Sequence, residues 1–455
     1  MTTRSKPAPV PALTSSLLKS VLTPLAAANR RSARAYPGDA GDRQPVHTVY
    51  GGAHLFKADT AVRLGSIARA AFDEYAPDGA TLARALGLDS ADADTIRARV
   101  AGKLQREPVE DYRIDFEDGF GIRPDAEEDD CAQAAAAEVA RGHKDGTLPP
   151  FIGIRIKSLS PELHRRSLRT LDLFVSTLAA ENARRLPDRF VVTIPKLMSP
   201  AHVEVVARAC DALERKLKLR RGAIGLELMI ETPQSILGPD GTSPLRALVA
   251  AGRGRVTGAH FGTYDYTALC GITAAWQHMR HQACDFARHM MQVGLAQSGI
   301  RLSDGATNVM PVPPHRAAAG GALSDAQRRE NEQAVHHAWK LHFDDIRHSL
   351  VNGFYQGWDL HPAQLPSRYA AVYAFFLEAR VAATARLRNF VDKAARATLV
   401  GDVFDDAATG QGLLNFFVRG LSSGALTLEE ARETGLTENE LHSRSFLAIL
   451  ESRRR

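Results

Sequence analysis

"YRIDFEDGFG" (residues 112–121) begins as a strand and ends in acid. Tyr112, Ile114 and Phe116 alternate with Arg113 and Asp115, the period of two that suits a pleated, partly buried segment. Glu117 and Asp118 follow, and Gly119 and Gly121 break the run. Neighbouring carboxylates repel and raise one another's pKa, so the trio at 115, 117 and 118 needs a cation, a proton or bulk water. The stretch is either a solvated acidic turn or one wall of a site, and the rest of the chain decides between them.

The pattern recurs. β-Branched or aromatic runs appear at "VHTVY" (46–50), "FIGIRI" (151–156), "FVVTIP" (190–195), "IGLELMI" (224–230), "VTGAHF" (256–261), "GIRLSD" (299–304) and "FYQGWDL" (354–360). Between the runs lie helical patterns at 58–75, 127–141, 161–185, 201–218, 284–298 and 325–350. Eight strand–helix repeats predict a parallel sheet, because parallel neighbours need a crossover, and they fit a closed (β/α)8 TIM barrel. A doubly wound open sheet is the rival; its GxGxxG signal after an early strand is missing. A barrel also demands that chemistry gather at strand ends. The runs lead in turn to Gly51, Gly52 and His54; to Glu117 and Asp118; to Arg155 and Lys157; to Lys196; to Glu231; to Asp265; to Asp304; and to His361.

The expected organisation is an N-terminal arm (1–45), a barrel (46–365) and a helical extension (366–455). The arm's "LTSSLLKSVLTPLAAA" is interrupted by Lys19 and Pro24 and reads as a loose arm or short helix rather than a signal peptide. Residues 313–325 read as a flexible inserted loop, "DDAATGQG" (405–412) as a break, and "TENE" (437–440) as a capping box on Thr437. Composition is ordinary for a soluble chain of 455 residues, with 44% apolar and 24% charged residues and a net charge of +5. No basic stripe interleaved with aromatics points to nucleic acid, and no run approaches a membrane span. Cys131, Cys210, Cys270 and Cys284 lack metal-ligand spacing and read as buried, reduced thiols of a cytoplasmic protein.

Two motifs carry the chemistry. "LELMIETPQSI" (226–236) is a buried strand ending in Glu231, and "GAHFGTYDYTALCGI" (258–272) is another, with Gly262 at its end and Asp265 just beyond. Adjacent parallel strands lie about 4.8 Å apart, so these acids can converge on one hard cation. Magnesium takes one or two carboxylates and completes its octahedron with waters and substrate oxygens. The bland alternative is that each acid caps its helix or pairs with a lysine.

"DFEDGFG", "IRIK", "IPKLMS", "LMIET", "FGTYDYTALCGI" and "GFYQGWDLHPAQL" occur in the order seen in the HpcH/HpaI aldolase and citrate lyase β-subunit family, TIM barrels of the phosphoenolpyruvate/pyruvate superfamily, which the chain resembles over residues 46–375. The resemblance implies a carbon–carbon lyase acting on a small anionic 2-oxo or 2-hydroxy acid through an enolate. It implies Glu231 and Asp265 as ligands of Mg2+ (or Mn2+), with Arg155, Gly262 and Thr263 contacting substrate. Asp115, Glu117 and Asp118 match the family's acidic run, orienting water and Arg155, and Lys196 neutralises that run; Arg155, Glu117, Asp118 and Lys196 are the implied catalytic group. A homo-oligomer is also implied. His361 fits the family's "HP" as a structural histidine, and His54 is a weaker general-base candidate. Coenzyme A users commonly carry "GxDGK" ahead of "HP"; here Tyr355 and Gly357 replace the aspartate and lysine, which places thioester use in doubt. A phosphoenolpyruvate-linked phosphotransferase or mutase, and a non-catalytic metabolite-binding barrel, are the rival readings.

Overall fold

The computed structural model describes residues 13–38, 43–317, 321–392, 398–400, 403–405 and 407–453. Helix α1 (Ser15–Ala35) leads to β1 (His47–Gly52), then α2 (Thr60–Tyr75), α3 (Gly79–Leu86) and α4 (Ser90–Arg106). The chain continues through β2 (Asp111–Asp115), α5 (Asp125–Asp145), β3 (Phe151–Arg155), α6 (His164–Glu181), β4 (Val191–Ile194) and α7 (Pro200–Leu217). Next come β5 (Gly225–Ile230), α8 (Pro233–Ile236), α9 (Leu245–Ala251), β6 (Val256–Phe261), α10 (Thr263–Leu269), α11 (Gln282–Leu295), β7 (Arg301–Ser303), α12 (Asp325–Val351) and β8 (Gly357–Asp359). After α13 (Leu365–Asp392) the described extension contains a short antiparallel pair, β9 (Thr398–Val400) and β10 (Val403–Asp405). Helices α14 (Ala407–Ser422), α15 (Leu428–Arg432), α16 (Glu438–Ser443) and α17 (Phe446–Arg453) follow.

The eight main strands are all parallel, in the order β7-β6-β5-β4-β3-β2-β1-β8. The circle closes between β7 and β8 through a bridge of Ala306 to Trp358, with Asp304 N–H donating to the Gln356 carbonyl (2.8 Å) and Trp358 N–H to the Gly305 carbonyl (3.0 Å). This is the expected TIM barrel. Its wall buries Ile152, Ile154, Val192, Ile194, Leu226, Leu228 and Ile230 against the helix ring, where Phe174, Val206 and Leu171 meet them. Each fully buried aliphatic side chain contributes about 1.5–3 kcal/mol.

Local signals set the ends of these elements. Ser324 and Gln327 form the capping box that starts α12, and Thr437 and Glu440 form the expected one on α16. Gly146, at φ 69°, ends α5 in the left-handed conformation that a β-carbon disfavours. "GATNVMPVP" (305–313), which has no assignable role in sequence, provides the closing bridge, and Thr307 Oγ1 donates to Asp345 (2.7 Å). α1 is longer than the short helix expected of the arm: it runs through Pro24 with no buried residue. Cys210 and Cys284 are buried as anticipated, whereas Cys131 on α5 is only partly buried and Cys270, the residue that ends α10, is exposed. No described helix is long and apolar enough to cross a membrane.

Candidate functional site

Period-two alternation puts Asp111, Arg113 and Asp115 of β2 on the inner face of the barrel, at rising heights. The same parity carries Glu227 and then Glu231 up β5. At the top, where the βα loops begin, these positions open onto a cavity of about 360 Å³ lined by Asp115, Asp118, Arg155, Glu231, Thr263 and Asp265, among others.

Arg155 is the hub. Its Nε and Nη2 donate to the two oxygens of Asp115 at 2.7 and 2.5 Å, while Nη1 faces Glu117 at 3.1 Å and Asp118 at 3.7 Å. One edge of the guanidinium is thereby locked and the other is turned to the cavity. Asp115 also accepts the backbone N–H groups of Glu117 and Gly119 (2.9 and 2.7 Å), which folds the loop back over the strand. Burial raises its pKa, but Arg155 and these two N–H groups outweigh burial and hold it below the usual carboxylate range.

Lys196 supplies the second cation. Its Nζ lies 2.9 Å from Glu117, 3.2 Å from Asp265 and 3.6 Å from Asp118. The residue sits at φ 50°, a left-handed conformation uncommon for a lysine, and its backbone N–H donates to Glu231 Oε1 at 2.7 Å. Lys157 reaches the other way, donating to the carbonyls of Phe116 (2.8 Å) and Gly121 (2.9 Å) and so fixing the acidic loop.

Glu231 is 1% exposed, and burial raises its carboxyl to about 8; Lys196 opposes the rise and Asp265 adds to it. Glu117 is likewise pushed up by burial and by Asp118, against Arg155 and Lys196. Five carboxylates thus face two cations. Gly262 is what lets Glu231 stand there: a β-carbon at that position would lie 2.5 Å from Glu231 Cβ and 2.6 Å from its Oε2. Thr263 lines the cavity, and its Oγ1 lies 3.1 Å from Met279 Sδ.

The donor set fits a hard divalent ion of the magnesium kind. Glu231 and Asp265 present oxygens to one cavity, and the excess negative charge there would be relieved by two positive charges. Among the described residues no three His, Cys, Asp or Glu side chains form a ready-made cage, so such an ion would complete its shell with water or substrate.

The structure gathers Arg155, Glu117, Asp118, Lys196, Glu231, Asp265, Gly262 and Thr263 at one mouth. It does not bring in His54, whose ring packs on Phe120 (5.8 Å between centroids), or Asp304, which is tied to Arg288 and Ser349. His361 caps the turn after β8: its Nδ1 accepts the Ala363 N–H at 3.2 Å, the structural part expected of it.

Sequence reasoning missed the aromatic side. Tyr50 and Trp358 pack with their rings tilted, 4.4 Å between centroids, and the Arg155 guanidinium lies 5.0 and 5.8 Å from their rings. His260 Nδ1 lies 3.2 Å from the Tyr50 hydroxyl and accepts the Trp358 indole N–H at 3.3 Å. Each of the three lies in a strand run quoted above, and their inward parity was the available signal.

The chain is similar to a citrate lyase from Burkholderia xenovorans LB400, with 16% identity and a TM-score of 0.57 over 87% of this chain and 97% of that one. A malate synthase from Haloferax volcanii, solved as a magnesium/glyoxylate complex, gives 14% and 0.42 over 89% and 96%. An HpcH/HpaI aldolase/citrate lyase family protein from Burkholderia cenocepacia J2315 gives 12% and 0.37 over 78% and 99%. The resemblance read from the strand-end motifs holds at the level of the fold. No curated protein matches the sequence. The model of a family described as a domain of unknown function, DUF6986, matches residues 25–449, and the chain belongs to that family.

Proposed function

We propose that the protein is a magnesium-dependent carbon–carbon lyase acting on a small 2-oxo or 2-hydroxy acid. The observation that carries this reading is the convergence of Arg155, Glu231 and Asp265 on one small cavity at the barrel mouth, with Lys196 ion-paired to Asp265 beside it. Glu231 and Asp265 would hold the ion, which when bound supplies Lewis-acid polarisation of the substrate's oxo group. The cavity-facing edge of Arg155 receives the carboxylate and the oxygen that gains charge as the carbon–carbon bond breaks. Asp115 keeps that guanidinium in place, and the Tyr50–Trp358 wall excludes water behind it. Lys196 keeps Glu117 and Asp265 from repelling the anionic substrate. The cavity suits an acid of a few carbons, and Tyr355 and Gly357 in place of the aspartate and lysine common in coenzyme A users argue against a thioester substrate.

The test is incubation with a panel of 2-oxo and 2-hydroxy acids and Mg2+, followed by mass spectrometry for cleavage and condensation products. Metal-dependent product formation that exhaustive chelation abolishes is the expected outcome. Phosphate release or a requirement for ATP would favour phosphoryl transfer instead. Calorimetric binding of an acid with no product at all would favour a binding barrel.

A further inference from the structure

The cavity at the barrel mouth has two unlike sides. One carries Asp115, Asp118, Glu231 and Asp265 together with Arg155, the single cation among the described residues that line it. The other carries Tyr50, Tyr264, Ala306, Trp358 and Leu360. Strand order keeps the two sets apart. The ionic groups rise from β2, β3 and β5 and from the start of α10, and the apolar ones from β1, β8, the turns after β7 and β8, and α10 at the junction. The lyase reading uses the ionic side and gives the apolar side no part beyond excluding water.

Each aromatic on the apolar side has its polar tip already occupied. The Tyr264 hydroxyl donates to the Ala306 carbonyl at 2.8 Å. The Trp358 indole N–H donates to His260 Nδ1 at 3.3 Å, and the Tyr50 hydroxyl lies 3.2 Å from that same nitrogen and 3.8 Å from Met229 Sδ. His260 and Met229 are themselves buried. What this side offers a ligand is therefore ring carbon and the side chains of Ala306 and Leu360, surfaces that gain by losing water. Charge leads to the same place. Arg155 has one edge locked on Asp115 and one turned to the cavity, enough for a single carboxylate. Lys196 stands beside the cavity, held by Glu117, Asp118 and Asp265. A second substrate carboxylate would lie against apolar side chains with no described cation to meet it, in a cavity that already holds four carboxyl groups. The volume of about 360 Å³ is nonetheless more than a three-carbon acid needs.

We infer that the substrate is a monocarboxylate whose chain beyond the 2-oxo or 2-hydroxy head is uncharged and apolar, held by Tyr50, Tyr264, Trp358 and Leu360, and not a dicarboxylate. The inference rests on the reading of the mouth as the site of a small 2-oxo or 2-hydroxy acid, and narrows it. Leu360, half-buried where the chain leaves β8, is the specificity-determining position.

The test is isothermal titration of the full-length protein, with Mg2+ present, by pyruvate, 2-oxobutanoate, 2-oxopentanoate and 2-oxohexanoate, and by 2-oxoglutarate as the dicarboxylate of matched length. Affinity is expected to rise about fourfold with each methylene. 2-Oxopentanoate should bind tighter than 2-oxoglutarate by about 100-fold or more. Leu360→Lys, which sets an ammonium among the apolar side chains, should shift that ratio toward 2-oxoglutarate by about tenfold or more. Val351→Lys, at an exposed position on the end of α12 that leads into β8, should leave the ratio where it was. Equal or tighter binding of 2-oxoglutarate by the wild-type protein, or no gain along the series, overturns this inference alone. So does a ratio unmoved in folded Leu360→Lys protein; should that variant not fold, the wild-type series decides. Failure of every acid to bind overturns the inference together with the reading of the mouth. Binding that follows the series with no product formed upholds the specificity and removes only the lyase step.

Discussion

Glu227 and Glu231 stand four residues apart at the inner face of β5, both almost fully buried, yet their carboxyls are driven in opposite directions. Burial raises both. At Glu227 the charge of Arg113, with the His260 ring beside it, wins, and the group is held well below the usual range; at Glu231, with Lys196 opposed by Asp265, burial wins. The lower layer is closed: Arg113 Nη2 donates to Glu227 Oε2 at 2.6 Å, its Nη1 to Asp111, and Thr48 donates to Asp111 at 2.8 Å. In the upper layer carboxylates outnumber cations and the cavity is open. The same residue type, equally buried, is structural where its partners are complete and poised for a ligand where they are not.

The sharpest way to break this contrast is a pair of isosteric changes. Glu231→Gln is expected to reduce metal-dependent turnover by about 10³-fold or more while the denaturant midpoint stays put, since burial already favours the neutral carboxyl at pH 7 and an amide keeps it neutral. Glu227→Gln is expected to cost about 1.5–3 kcal/mol of stability by weakening the charge-assisted hydrogen bonds from Arg113 Nε and Nη2, while Asp111 still pairs with that arginine. Turnover that survives Glu231→Gln in a folded protein would dissolve the distinction.

A second pair uses the glycines of the neighbouring strand end. Gly262 abuts Glu231 so closely that Gly262→Ala must displace that carboxylate, and a rate loss of about 10²-fold is expected from a shift of an ångström. Gly258 is the partner of Glu227 in the β5–β6 ladder, and a β-carbon there would meet nothing closer than 3.5 Å. Gly258→Ala should therefore be neutral, or stabilise by about 0.4–1 kcal/mol through the unfolded chain. Steady-state kinetics and urea titration of the two variants side by side decide it.

Most of the upper layer was legible because strand ends announce themselves: an alternating run, then Glu231–Thr232–Pro233 or Gly262–Thr263, needs only the barrel hypothesis to become a mouth. The lower layer was not legible in the same way. Asp111, Arg113 and Glu227 sit inside strand runs, where a charged residue reads as a solvent-facing position, and only closure of the sheet turns that face inward. Helices α3 and α4 escaped notice for a related reason. They lie outside the strand–helix alternation, and their N-caps, Asp78 and Asp89, are single residues within polar stretches. Tyr50 and Trp358 are ordinary members of aromatic strand runs in the sequence, and only their meeting where β1 pairs with β8 makes them a wall behind Arg155.

A gradual effect, spread over two pH units, probes a third ionic layer, on the barrel floor. His47 accepts the Glu110 N–H at Nε2 (3.0 Å), and its Nδ1 lies 3.2 Å from Asp359, which also faces His342 (3.1 Å) and Arg368 (2.8 Å). Burial pushes His47 down to about 4, against the attraction of Asp359 and Glu110 and with help from Arg368 and Lys103. A histidine lowered in the folded state and ordinary in the unfolded chain gives the unfolded state the extra proton between about pH 6.5 and 4. Stability is therefore complete above that window and falls as pH drops through it. Between pH 7 and 5 the loss from His47 is about 2 kcal/mol, and His342, also lowered by burial, adds to it in the same direction. Urea titrations across this range should show the slope, and His47→Gln should flatten it in part. An unchanged slope in that variant would mean that the floor histidine is not a closed structural layer of the kind Glu227 belongs to.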